Sequence, residues 1–390
     1  MIFSNPSEYI GKDESLLDEL SRSCWIRHYL ETSVTAQGQG MADQQAMWVT
    51  RIIERTTAVG LRSPLLANLV TIGVVPLVLT VLFFNTSRGS SQLFVLGQIL
   101  LAVLLSAMGY LIWYYDMVLL PEFITDIEDL VEKESEYQRI RDKYLHFFRN
   151  GWWKTMALYG PLSPLNFALN FGYYQSEGVG AAFSLSFLTY FSFGIWTGIV
   201  SSLGIHLVLT TLLLVGEISQ LDLAIDPLHY DGVGGMGIIG EFCVRTMIIA
   251  SLGALMLPYA FGLARGGSFE LFVYLGVGAY LVILIGIFVY PTYRASQQAE
   301  KRRETQLQEL REEINQLENT ATETEQTDGG TNEQALEREL RLNRLRKKYK
   351  EYQTVRLYPI SISTLARFTG SVLLPLFFLG LDYYLSNLAG

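Results

Sequence analysis

The chain has 390 residues, half of them hydrophobic and only 17% charged, with a mean hydropathy of +0.25 and a formal net charge of −9. Several windows of about 20 residues carry no charge, which a bilayer requires and a water-soluble core does not. The acidic balance excludes a nucleic-acid partner, which would need a basic face; the two cysteines, Cys24 and Cys243, form no CxxC pair and suggest neither a disulfide framework nor a thiolate zinc site.

Residues 1–63 contain charged stretches such as KDESLLDELSRSCWIRHYL and no short apolar run followed by a small-residue cleavage site, so the N-terminus is expected in the cytoplasm. ESLLDELSRSCWIRHYL and QQAMWVTRIIERTTAVGL are amphipathic, suited to docking on a helical bundle or lying along the membrane surface. Residues 64–115 hold the first two spans, at 64–84 and 93–115, each near the ~20 residues that cross a bilayer. The segment 116–154 reads as a polar helix with Leu130, Tyr137, Ile140 and Tyr144 at helical spacing, ending at Trp152 and Trp153 as interfacial anchors.

Residues 155–291 are expected to hold four spans around a connector at 217–240. The run 180–216 has no acid or strong base and would make a helix of roughly 55 Å. It is one helix protruding from the membrane or two tight spans. Lys and Arg mark the cytoplasmic side: they are dense before residue 63, between 133 and 154, and in the insert 292–358, while the link after the first span holds only Arg88. Three cytoplasmic segments force an even number of crossings between 154 and 294. Spans at 242–264 and 270–291 supply two, so the stretch 155–174, kinked at Pro161 and Pro164, pairs with a single long fourth helix. In the rival reading, 155–174 lies on the interface and 180–216 crosses twice.

The insert 292–358 reads as a helical hairpin with a flexible linker at 321–332. Leu307, Leu310, Ile314 and Leu317 follow a 3, 4, 3 spacing in its first half, and Leu342, Leu345, Tyr349 and Tyr352 do so in its second. Residues 359–390 hold the last span, at 366–386, and a short outside tail.

This layout resembles the seven-transmembrane ion channel superfamily that includes the insect odorant and gustatory receptors. The shared features are a cytoplasmic N-terminus, seven spans, a fourth helix running past the membrane, long helices flanking a cytoplasmic link before the last span, and a very short outside tail. The last span, RFTGSVLLPLFFLGLDYYLSN, carries neither the Thr-Tyr pair nor the Gln-Phe pair usual in gustatory members. The resemblance implies a homotetramer with packed cytoplasmic ends and a cation pore lined by one seventh helix from each subunit. Read from its own residues, that helix offers small or kinked positions at Ser371, Pro375 and Gly380. It also offers a hydrophobic constriction at Leu373, Phe377 and Leu381, and an outer ring of carboxylates at Asp382. Asp382 also reads as the polar end of the span, at the interface.

Three ionisable residues fall at membrane depth: His206, alone in the long helix, and Glu241 with Arg245, four apart on one helix face. Each has a structural alternative, as a packing histidine or an interfacial pair. In DPLHYDGVGGMG, residues 226–237, Asp226, His229 and Asp231 would suit Zn, Mn or Fe better than Ca. The alternative is a tight connector in which the glycines permit turns and an aspartate caps the next helix.

The expected molecule is an all-α polytopic protein of the cell membrane with seven transmembrane helices, N-terminus in and C-terminus out, and a cytoplasmic helical bundle. The expected function is a homotetrameric cation channel whose partners are the lipid bilayer, further copies of itself and cations. No cofactor is expected unless the 226–231 loop holds a divalent metal. The competing classes are a membrane-embedded enzyme using that metal and a non-conducting signalling or scaffold protein.

Overall fold

The computed structural model describes residues 46–87, 89–128, 130–131, 133–221, 236–256, 270–325 and 332–354, together with 369, 370, 373, 377 and 380. The architecture below is that of the unit Met47–Gly390. The described elements are helical throughout. Among the described residues, three helices are long and apolar enough to cross a membrane, and Tyr274–Ile283 is a shorter apolar stretch.

Helix α1 (Trp48–Ala58) buries Val49, Thr50 and Ile53 along one side, as its amphipathic pattern requires. Helix α2 (Pro64–Thr86) opens on a proline, whose missing N–H is no loss in the first turn, and widens into a π-helical turn at Leu69–Gly73. At the end of this turn Gly73 O accepts from Ser106 Oγ at 2.6 Å. Asn68 adds a second tie, its Nδ2 donating to Ser106 O at 2.7 Å. The two helices meet so closely that a Cβ at Gly109 would lie 2.1 Å from Asn68 Oδ1.

Helix α3 starts at Gln92–Tyr114, with Ser91 Oγ accepting from Phe94 N as the N-cap. It passes through a second π turn at Tyr115–Leu119 and continues as Leu120–Glu128. The second apolar segment therefore does not end at residue 115. It runs on as one rod, because Leu119, Leu120, Phe123, Ile124 and Ile127 keep a buried stripe beyond the charged residues. Helix α4 (Glu134–Asn150) then returns, and the expected stripe of Leu130, Tyr137, Ile140 and Tyr144 is buried in the largest apolar cluster.

The stretch 155–174 is broken into α5 (Trp152–Tyr159), α6 (Leu162–Leu169) and α7 (Phe171–Ser176). Pro161 sits at the first break, while Pro164 falls within the first turn of α6, where a proline costs no helical hydrogen bond. The broken run lies antiparallel to α8 (Leu185–Ile218). Thr155 meets His206, the Gly160 carbonyl abuts Gly198, and Phe167 packs its ring at a tilt against Phe187, Tyr190 and Phe191. At Gly198 an added Cβ would fall 2.2 Å from Gly160 O, so only glycine permits this approach. Helix α8 is the centre of the fold: 61% of its most apolar window is buried, against 33% for α2 and 39% for α3. It is one helix, N-capped by Ser184, and its far end is covered by other helices: Leu207, Leu214, Val215 and Ile218 are buried.

Helix α9 (Gly237–Ser251) packs Phe242 face to face on Phe123, ring centroids 4.0 Å apart. Helix α10 (Glu270–Glu325) has 56 residues and carries an apolar segment directly into the charged insert. Helix α11 (Asn332–Thr354) folds against it, joined by Arg341–Glu313 and Arg346–Glu318 ion pairs. In α10 Leu310 is buried and Leu307, Ile314 and Leu317 are half-buried; in α11 Leu342, Leu345, Tyr349 and Tyr352 are half-buried between exposed neighbours.

Candidate functional site

The polar side chains gather where α3, α4, α8 and α9 meet. Asp116 lies in the π turn of α3 with 0% of its surface exposed. Its Oδ1 accepts from Arg149 Nε at 3.0 Å and its Oδ2 from the Met47 backbone N at 3.1 Å. A lone buried carboxylate would cost several kcal/mol, so this pairing is what permits it. Met47 is the N-cap residue of α1, so one carboxylate fastens α1, α3 and α4 together, with its negative charge set at a helix N-terminus.

One turn of packing away stands His206, fully buried on α8. Its Nε2 faces the backbone oxygens of Phe147 and Phe148, both at 3.2 Å, and its Nδ1 lies 2.9 Å from Thr155 Oγ1. Carbonyls only accept, so Nε2 carries the proton and the threonine hydroxyl donates to Nδ1. The neutral ring thus satisfies every partner. The two carbonyls belong to the last turn of α4, where Gly151 N, at the C-cap, bonds Phe147 O at 2.7 Å. His206 is therefore the side chain that terminates α4 on α8. Nearby, Tyr115 Oη and Thr211 Oγ1 are 2.8 Å apart, and Thr211 reaches Thr246 of α9 at 3.4 Å.

Glu241 and Arg245 do pair, Nη2 to Oε1 at 2.6 Å, and Arg245 Nη1 also donates to Glu122 Oε2 of α3 at 2.9 Å. All three are partly exposed, so the trio lies at an edge of the bundle and closes a small cleft between α3 and α9. On α4, Tyr137 donates to Ile124 O at 2.8 Å and to Glu128 Oε2 at 3.3 Å. Burial, and then the Glu128 charge, push its hydroxyl up to about 12. Tyr144 donates to Leu213 O and Glu217 Oε2, and burial raises its hydroxyl in the same way. Both phenols stay protonated and act as donors at any ordinary pH.

Of the residues expected at a pore, Leu373 and Phe377 are 55% and 62% exposed. Ser371, Leu381 and Asp382 lie outside the described residues, as do Asp226, His229 and Asp231. Among the described residues, no group of three or more His, Cys, Asp or Glu side chains is placed to hold a metal ion. The sequence reading missed Asp116, Arg149 and Glu122. Asp116 had a visible signal: in YYDMVLL it has apolar residues on both sides, which marks burial rather than the end of a span. No protein-family model, curated protein or solved structure matches this chain.

Proposed function

We propose that the chain is a subunit of a homotetrameric cation channel in the cell membrane. In this reading it has seven spans, a cytoplasmic N-terminus and a pore lined by the last helix. The observation that carries the reading is that Leu373 and Phe377, one turn apart in the last apolar segment, are both exposed, with glycines at 370 and 380. Two large apolar side chains a turn apart, flanked by glycines, suit a constriction around a central axis shared by several copies. The course of α5–α7 also supports the count of crossings. From the His206 contact to the Phe187 contact they follow α8 over about 28 Å, close to the hydrocarbon thickness of a bilayer. The charged end of α10 and α11 then belongs with α4 in the cytoplasmic bundle, where the apolar seam of the hairpin reads as a short coiled coil.

The test is conductance of the purified chain in planar bilayers, with Asp382→Asn beside the wild type and particles imaged for symmetry. The wild type is expected to pass cations in preference to anions, and the variant to lose most of that preference. Monomeric particles, absence of current, or unchanged selectivity in the variant would sink the reading.

A further inference from the structure

A cavity of about 870 Å³ opens between α4, the end of α8 and the middle of α10. One side is apolar, formed by Leu209, Leu212 and Leu213 of α8 with Ile140 of α4. The other end is polar, formed by Arg139, Glu217, Gln220 and Tyr290. From Leu209 to Gln220 the gradient covers about 16 Å of helix. It runs in the direction in which α8 leaves its apolar course and α10 turns from apolar to charged at Arg294. Gly216 lets Tyr290 lie against α8, since a Cβ there would be 3.3 Å from the tyrosine ring.

The charges at the polar end are unequal. Glu217 is already held by Lys143 and Tyr144, and Glu136, also on the lining, by Lys133. Arg294 stacks over Tyr290 at 5.6 Å. Arg139 has no ion pair at contact distance among the described residues. Within the lining one guanidinium thus stands with two carboxylates that each already have a lysine partner, and its charge reaches Glu217 only from beyond contact distance. An apolar slot that ends in a guanidinium with no contact ion pair among the described residues, at the level where a membrane helix becomes a charged one, matches an anionic amphiphile standing with its tail toward the bilayer.

We propose that this cavity binds one anionic phospholipid from the leaflet on the α4 side, an acyl chain lying along Leu209, Leu212 and Leu213 and the phosphate at Arg139. The proposal needs a bilayer around α8 but not a conducting pore. The experiment is native mass spectrometry of the detergent-purified full chain, incubated with dioleoylphosphatidylglycerol, dioleoylphosphatidylcholine, oleate or inorganic phosphate. Arg139→Gln and Leu213→Trp are measured beside the wild type. Both residues are exposed in the unliganded chain, so neither change enters the core, and matching melting curves without lipid check that.

The wild type is expected to retain one phosphatidylglycerol in preference to phosphatidylcholine. Arg139→Gln is expected to weaken phosphatidylglycerol about fivefold, the worth of one cation beside an anionic headgroup, and Leu213→Trp to abolish retention by filling the slot. Equal retention of the two phospholipids with no effect of Arg139→Gln would overturn the proposal, as would a Leu213→Trp chain that binds like wild type. Displacement by inorganic phosphate alone would instead assign a free-phosphate site, and retention of oleate without phosphatidylglycerol a fatty-acid site; either overturns it.

Discussion

Arginine meets a carboxylate both at Asp116–Arg149 and in the α10–α11 hairpin, at nearly the same distances, yet the two settings differ in every other respect. Asp116 is fully buried, holds a second hydrogen bond from the Met47 backbone, and joins three helices. Glu313–Arg341 and Glu318–Arg346 are each between 41% and 63% exposed and join two. Distance alone therefore says little about what an ion pair contributes; the solvent around it decides. The helices at the two places differ in the same sense. Helix α8 is buried over 61% of its most apolar window, whereas α10 carries glycines at 276 and 278 where an added Cβ would meet nothing within 4 Å.

The sharpest way to test the contrast is to remove one partner of the buried pair. Asp116→Asn leaves Arg149 charged and largely enclosed, and is expected to cost about 3–5 kcal/mol, read as a fall in melting temperature in detergent. Adding Arg149→Met is expected to recover much of that loss, since it removes the stranded charge and leaves a neutral pair of similar size. A single-variant cost under ~1 kcal/mol would show that water reaches the site. Glycine substitutions come next. Gly198→Ala drives a methyl into the Gly160 carbonyl and is expected to destabilise by about 1–3 kcal/mol. Gly276→Ala, on α10, is expected to do the reverse, gaining roughly 0.5–1 kcal/mol from helix propensity. Equal effects of the two alanines would erase the difference between α8 and α10.

What could be read beforehand depended on periodicity, and what could not depended on contacts distant in the chain. The stripe Leu130, Tyr137, Ile140 and Tyr144 was legible because helical spacing of apolar residues means a buried face wherever the helix goes. Glu241 and Arg245 were legible for the same reason, as an i, i+4 pair. Arg149 and Glu122 were not, because their partners are 33 and 123 residues away. The π turns in α2 and α3 left no mark in composition, and the acids at 116 and 122 masked the continuation of α3 to Glu128. The break at Pro161 was foreseen; the one at Asn170, whose side-chain amide and backbone N–H both donate to Asn166 O at the end of α6, was not.

The smallest expected effect belongs to the hairpin, and it decides what holds α11 in place. If the half-buried seam around Leu310 does so, the exposed ion pairs only trim the register. Arg341→Ala with Arg346→Ala is then expected to cost under ~1 kcal/mol per pair and to matter less at high salt, because exposed charges are screened. Leu310→Ser should cost more, since it removes the one fully covered apolar contact described on that stretch of α10. Hydrogen exchange across residues 332–354 separates the two. Protection lost in the double arginine variant but kept in Leu310→Ser would mean that the charges, not the seam, dock α11, and the contrast with the buried pair at Asp116 would fail.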